Sequence, residues 1–441
     1  MTQIIAIVGG GAGGIFAALG AVRRGGVGRA GNLAREKGIP IEVHLFERNP
    51  RLGIKILISG GGKCNITHFG PVEEVLTMGF PRVNERRFLK SAMYRYTNAD
   101  VLQLLERRGV AWHARENGRI FPDSGRAEDV LHAFEEELGA AGVIVHTKSR
   151  ITSIDKEEDY WLLRADGIEY HADAVILATG GTSYRKVGTT GDGLDYAEHL
   201  GHTIVPMRAA LAPVYLKSPP CEELIGIALR GSPSKGAGAE LSVTRGSETL
   251  SKSSGDILLT HRGLSGPAVL DISRDAALHF EAGAIGMKAN LLNTSEENLR
   301  MTLISEQQSH AQQHVKTWLE EILPNRFVPY ILSQAEIPLD RKWHALTRFE
   351  RARLLTTLLR FDFGEVLDIP IDRGEVTAGG VSLAEVDSKT MMSRLHSGLF
   401  FAGEMLDVAG EIGGYNLQAA YSTGWVAGEA TATYLLRKSI A

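Results

Sequence analysis

Residues 4–8, Ile-Ile-Ala-Ile-Val, form an unbroken apolar run rich in β-branched side chains, the pattern of a short strand buried on both faces. Six residues of glycine and alanine follow, and Ile-Phe-Ala-Ala-Leu at 15–19 then opens a helix. A second run, Ile-Glu-Val-His-Leu-Phe-Glu at 41–47, predicts a second parallel strand. Val143–His146 predicts a third, reached from a helix over 127–141. Segments 150–155, 160–165 and 168–177 alternate as a small antiparallel meander that returns to the core and ends in Ala174–Leu177. From about Leu211 to His279 the pattern changes to short β-like runs with turn residues between them, such as 240–244 and 256–260. Thr-Ser-Glu-Glu at 294–297 reads as a capping box that starts a helix-rich stretch reaching about Phe361. A strand over 397–403 closes the pattern, and a helix opens at Leu417.

These elements predict an α/β fold in three chain segments: 1–200, a β-rich and then helical insert at 201–365, and 366–441. The first strand–turn–helix carries the earliest chemistry. Gly9, Gly11 and Gly14 fit G-x-G-x-x-G, with Ala12 and Gly13 between them. Gly9 permits the turn, Gly11 lets a pyrophosphate approach the backbone, and Gly14 lets the helix pack close to the strand. The helix N-terminus adds positive potential. Glu47, at the end of the second strand, is the acid expected on the ribose hydroxyls; Glu42 competes but sits mid-strand. Glu47 lies 33 residues beyond Gly14, against roughly 20 in the usual pattern. A glycine-rich insertion at 25–38 explains the excess. One dinucleotide motif, placed so early, favours FAD as the resident cofactor.

Composition narrows the alternatives only slightly. The chain has 441 residues, 44% of them apolar and 23% charged, with 50 glycines. A net charge of −4 leaves no global footprint for nucleic acid. Cys64 and Cys221 are the two cysteines, which excludes a disulfide framework and suits reduced thiols. The N-terminal run has no basic segment before its glycines, so neither a signal peptide nor a membrane span is expected, and the expected location is cytoplasmic. The histidines form no metal-ligand spacing.

Several motifs, in order along nearly the whole chain, resemble the BaiN-type flavoproteins, a family that includes aminoacetone-oxidase-like enzymes. They are ERNPRLGIKILISGGGKCN at 47–65, GRIFP at 118–122, ATGGTSY at 178–184, GDG at 191–193, THRGLSGP at 260–267, VTAGGV at 376–381 and GEMLDVAGEIGGYNLQ at 403–418. Two departures are the 25–38 insertion and Arg185, where the family usually has proline. The resemblance implies non-covalent FAD in a Rossmann-like domain built from both chain ends around an insert domain. Carried onto this sequence, the cofactor contacts are Gly9, Gly11, Ala12, Gly13, Gly14, Glu47, Arg48, Gly53, Lys55, Ser59, Gly60, Gly61 and Asn65. The later segments add Ile151, Ala178, Thr179, Gly180, Gly403, Glu404, Gly414, Tyr415, Asn416 and Leu417.

The turn Ser59–Lys63 is expected to line the cofactor. Cys64 has no C-x-x-C partner, so a buried, silent thiol is favoured over a catalytic one. His261, Tyr415 and Cys64 are the candidate catalytic residues, with no role assigned. The helix opening after Gly413-Gly414 would aim N–H groups at the flavin and raise its reduction potential.

The family's activities are reduction of conjugated double bonds and oxidation of small amines. The favoured expectation is hydride movement between transiently bound NAD(P)H, flavin and an unsaturated organic substrate. The alternative is an amine oxidase producing hydrogen peroxide, and RNA modification ranks last. Partners are expected to be small molecules, without nucleic acid or membrane.

Overall fold

The computed structural model describes residues 2–22, 40–230 and 238–438. By its contacts the chain divides into two compact units: Met1–Met207 with Glu375–Ala441, and Arg208–Gly374. The 25–38 insertion lies outside the described residues.

The first unit is organised by a five-stranded parallel sheet. Its central strand, β1 (Gln3–Val8), is flanked on one side by β2 (Ile41–Phe46) and then Ile144–His146. On the other side lie Ala174–Leu177 and then Leu399–Phe401. The register aligns the strand ends: Val8 pairs with both Leu177 and Phe46, and Leu177 with Phe401. The segments starting at Gly9, Glu47, Ala178 and Ala402 therefore all leave one edge of the sheet. In a parallel sheet that carboxyl edge is where ligands bind.

The apolar pattern of β1 follows from burial on both faces; Ile5 and Ile7 have no exposed surface. The predicted segment 168–177 is two strands, Ile168–Ala172 and Ala174–Leu177. The first ends the antiparallel meander and the second joins the parallel sheet. Asp173 divides them, its carboxylate accepting from Ile4 N at 2.8 Å.

Helix α1 (Ala12–Val22) packs along the C-terminal helix, Tyr415–Lys438. A Cβ on Gly424 would lie 2.2 Å from the carbonyl oxygen of Gly13, and one on Gly428 2.0 Å from that of Ala17. Only glycine permits backbones this close. Elsewhere in this unit His202 is clamped by Glu385 at 3.0 Å and Ser393 at 2.9 Å.

The second unit has an eight-stranded antiparallel sheet and its own apolar core, which includes Phe327, Trp343 and Leu358. Its helix Glu296–Ser309 starts one residue later than the capping box implied. Ser295 is the N-cap and accepts from Asn298 N at 3.2 Å, and asparagine at that third position replaces the acid of a capping box.

Candidate cofactor and active site

At the carboxyl edge of the parallel sheet lies an open cleft. Its lining includes Gly9, Gly11, Glu47, Lys55, Ile151 and Thr179. Of the expected cofactor contacts, Arg48, Gly53 and Ala178 also line it, whereas Ser59, Gly60, Gly61, Asn65, Gly180 and the residues from Gly403 onward are not part of its lining.

The glycine turn is shaped for a ligand. Gly9 has φ 109°, and a Cβ there would strike the carbonyl of Ala178 at 2.5 Å. Gly11 differs: a Cβ on it would meet no atom within 4 Å, although the residue lines the cleft. Space is left open in front of it. The helical ladder of α1 begins with Ile15 N donating to Gly11 O at 2.9 Å, so the preceding N–H groups have no partner within the helix. An open cradle beside such groups fits a pyrophosphate.

Glu47 is buried beneath this turn. Its Oε2 accepts from Gly10 N at 2.9 Å, and its Oε1 accepts from Asn49 N and Nδ2 at 2.7 and 2.8 Å. The carboxylate is fixed in place and retains acceptor capacity for a ribose hydroxyl. Glu42 is instead exposed and paired with His44 at 3.4 Å.

Arg48 donates to Thr190 Oγ1 at 2.6 Å and lies 3.4 Å from Asp192, which Arg150 also holds at 2.8 Å. Burial works against the Asp192 carboxylate, but Arg150, Thr190 and Arg48 together keep its pKa below the ordinary value. Tyr196 donates to Ile151 O at 2.5 Å. Its pKa is pushed up to about 12 by burial and by Asp192, so it remains a donor. Asp192, Thr190, Arg150 and Tyr196 escaped the sequence reading, although Asp192 stands inside the GDG motif.

Lys55 and Glu404, 349 residues apart, pair at 2.6 Å, and Lys55 also donates to Ser183 Oγ at 2.8 Å. Glu404 Oε1 accepts from Thr377 N at 2.8 Å. A Cβ on Gly13 would touch Gly403 N at 3.3 Å, which places the Gly403 turn against the start of α1. Thr179 donates its hydroxyl to the sulfur of Met405 at 2.9 Å. A Cβ on Gly180 would touch Thr189 at 3.2 Å.

Ile54–Gly62 is helical at first and breaks at Ser59, where ψ is 148°; Gly60 and Gly61 have φ of 55° and 69°. The expected turn therefore hangs from the end of a helical segment. Cys64, after the turn, is fully buried, and burial pushes its thiol pKa up to about 12 against a weaker opposing hydrogen bond from Ser59. At neutral pH it is a thiol and not a thiolate nucleophile.

Asn65 ties this turn to the C-terminal helix. With its amide oriented to satisfy the surrounding groups, it accepts from Gly414 N at 3.0 Å and donates to Thr67 O and Ile120 O, each at 3.2 Å. The ladder of the C-terminal helix starts with Gln418 N donating to Gly414 O at 3.1 Å, so the N–H groups of Tyr415, Asn416 and Leu417 precede it. The Asn416 side chain closes the adjoining loop through both Gly410 N and Gly410 O.

Tyr415 is buried and stacks on His68 with ring centroids 4.7 Å apart. His68, unremarked in the sequence, has its pKa lowered by burial; a hydrogen bond to Gly413 O opposes that shift and the charge of Arg119 adds to it. His261 belongs to the second unit, in the turn between the strands Ile257–Thr260 and Gly263–Ser265. Among the described residues, no three His, Cys, Asp or Glu groups are arranged to hold a metal ion. No described helix is long and apolar enough to cross a membrane.

Comparison with known proteins decides what the cleft belongs to. The family model described as "HI0933-like protein Rossmann domain" matches residues 3–430. The chain belongs to the HI0933-like family. It is 30% identical over 438 residues to a 3-dehydro-bile acid delta(4,6)-reductase of Clostridium scindens, covering 97% of this chain and 98% of that one. It is 33% identical over 383 residues to a ribosomal RNA dihydrouridine synthase of Escherichia coli (strain K12), covering 87% and 90%. Among solved structures, an E. coli quinol fumarate reductase aligns with a TM-score of 0.48 at 16% identity, over 98% of this chain and 70% of that one.

This HI0933-like chain is a Rossmann-type FAD-dependent oxidoreductase. The open cradle at Gly11, the first N–H groups of α1, which have no partner within the helix, and the fixed carboxylate of Glu47 fit the adenosine and pyrophosphate part of FAD. The flavin, when bound, supplies reversible two-electron chemistry. The protein supplies the cradle, the carboxylate and the Lys55–Glu404 pair.

Proposed function

We propose that this chain is a reductase of carbon–carbon double bonds conjugated with a carbonyl. NAD(P)H provides the hydride by way of FAD, and a proton completes saturation of the double bond. The observation that carries the reading is the pair of relatives. One is named for reducing double bonds of a 3-oxo bile acid, and the other for forming dihydrouridine, in which the uracil ring loses its conjugated double bond. Both names describe one kind of chemistry on unlike molecules. The chain spans most of the length of each relative, so the same machinery is available here.

The site gives the reading a physical basis without selecting the substrate. The cleft accommodates the nucleotide end of FAD, while the turn Gly60–Lys63 and the start of the C-terminal helix, joined by Asn65, form a second place where backbone N–H groups are presented. We place the reacting ring of the flavin there. Positive potential at a helix N-terminus stabilises the negative charge of reduced flavin.

The test is anaerobic mixing of the purified, FAD-loaded protein with NADH and with NADPH. Bleaching of the flavin by either one, followed by reoxidation on adding a 4-ene-3-oxo steroid or uridine-containing RNA, is the expected result. A flavin that neither nucleotide bleaches overturns the proposal. So does peroxide release from aminoacetone without any pyridine nucleotide, which marks an amine oxidase.

A further inference from the structure

The peptide group between Gly413 and Gly414, where the C-terminal helix opens, is gripped at both ends. Its N–H, that of Gly414, donates to Asn65 Oδ1 at 3.0 Å. Its oxygen, that of Gly413, accepts from His68 Nδ1 at 3.2 Å. The two gripping side chains stand three residues apart, on the stretch that leaves the Gly60–Lys63 turn and enters the short strand Thr67–His68. This one peptide cannot rotate without losing both hydrogen bonds. Space is equally tight: φ at Gly414 is 90°, and a Cβ there would lie 2.7 Å from Thr67 O.

The imidazole that closes the grip is itself boxed in. Tyr415 covers one face, with ring centroids 4.7 Å apart. Gly118, at φ 76°, comes so near its edge that a Cβ there would lie 2.3 Å from Nε2. Asn98 Nδ2 donates to His68 O and to Gly70 O, each at 2.9 Å, and so ties down the backbone beside the ring.

A carbonyl oxygen only accepts, so Nδ1 carries a proton, and neutral His68 is that tautomer. Burial lowers its pKa; the bond to Gly413 opposes that shift and Arg119 adds to it. Imidazole, not imidazolium, therefore holds the peptide near neutral pH. A ring that served only to stack on Tyr415 could as well be phenylalanine. The donor at Nδ1 is what histidine adds.

We propose that His68 is a positioning residue for the flavin: its Nδ1–H holds the Gly413–Gly414 peptide so that the N–H groups of Tyr415, Asn416 and Leu417 stay aimed at the reacting ring. The proposal rests on the placement of that ring beside the Gly60–Lys63 turn, and it assigns the aim of the helix to a side chain packed against Tyr415. Asn65 fixes the same peptide from the side of the turn, so turn and helix present their donors as one unit. Donors fixed in advance stabilise developing charge without reorganising when it forms. Released at its oxygen, the peptide rocks about the remaining bond, and the first N–H groups of the helix move with it. Negative charge on reduced flavin then gains less from the helix.

The test uses the full-length, FAD-loaded protein. His68→Phe keeps a ring on Tyr415 and removes the donor. His68→Asn removes the ring and keeps a donor, because its amide nitrogen falls near the place of Nδ1. Each preparation is titrated with dithionite in equilibrium with a reference dye at about pH 7.5, where the wild-type imidazole is neutral. At the poise that half-reduces wild-type flavin, the ratio of reduced to oxidised flavin in His68→Phe should be about fivefold lower, with FAD content unchanged. His68→Asn should stay within about twofold of wild type.

A side chain needed only for packing gives the reverse order, with His68→Phe like wild type and His68→Asn displaced. That order overturns the proposal, and so does an equal ratio in all three proteins. If His68→Phe fails to retain FAD, His68→Gln carries the same comparison, since its longer amide reaches past Gly413 O. Lys63→Glu, an exposed change at the end of the turn, reports the place of the ring independently and should lower the same ratio. If it does and His68→Phe does not, this proposal falls alone; if neither does, the placement of the ring falls with it. Bleaching by NAD(P)H is measured on each preparation, and its absence in wild type removes the reductase reading while the dye titration still decides the role of His68.

Discussion

Gly11 has its consequence in what it lacks. Its missing Cβ leaves open space on the cleft wall, with no protein atom within 4 Å of where that Cβ would stand, so Gly11→Val fills the place the pyrophosphate needs. The variant should fold and purify without flavin, which absorbance of the purified protein checks. Glu47 is anchored by Gly10 N and by Asn49, and Glu47→Ala removes an acceptor from both the ligand and the turn. FAD affinity should fall by about 1–3 kcal/mol, measured by flavin fluorescence titration. Cys64 illustrates the contrary case. Its full burial and raised pKa predict that Cys64→Ser keeps FAD and most turnover, with a stability loss of about 1–3 kcal/mol if the new hydroxyl is unpaired. Turnover lower by two orders of magnitude with FAD retained would contradict that role.

At the scale of elements, the His202 clamp makes stability depend on pH. Ser393 Oγ accepts from Leu395 N at 3.0 Å and His396 N at 2.9 Å, so its own proton is directed at His202 Nε2, and Nδ1–H faces Glu385. This arrangement requires neutral imidazole. Burial lowers the His202 pKa, with Glu385 opposing the shift. Below about pH 6.5 the unfolded chain takes up a proton that the folded chain does not. The clamp's stabilisation is therefore complete above that pH and is lost as pH falls toward the lowered folded value. Thermal melting should show a drop in stability as pH falls below about 6.5 that is smaller in His202→Gln. At neutral pH that variant should itself be less stable by about 1–3 kcal/mol, because the clamp is broken.

For the whole molecule, a ligand that binds only the folded state stabilises it by mass action. Free FAD at about 100 times its dissociation constant should add about 2.7 kcal/mol to apoprotein stability. Differential scanning fluorimetry should show a rise in Tm that Gly11→Val abolishes. The sequence made the parallel strands, the glycine turn and Glu47 legible because each is local: a strand, its turn and its helix are contiguous. The boundary at Asp173 and the true cap at Ser295 depend on hydrogen bonds that pattern alone does not report. The Lys55–Glu404 pair, the Asn65–Gly414 tie and the stack of Tyr415 on His68 unite residues hundreds of positions apart; the motifs were legible one by one, but nothing local reports which residue of one meets which of another.

The close passage of α1 along the C-terminal helix also sets an order of events during synthesis. Gly13 and Ala17 leave the ribosome 411 residues ahead of Gly424 and Gly428, which cover them. At roughly 5–20 residues per second, about 20–80 s pass between the emergence of the two helices. For that interval the nascent first helix keeps an apolar flank uncovered, and the second unit is completed while the first still lacks its closing strand and helix. The chain therefore exposes a chaperone-accessible surface on its first helix until the covering helix emerges, and slowing elongation in between would prolong that exposure without altering a single contact of the finished fold.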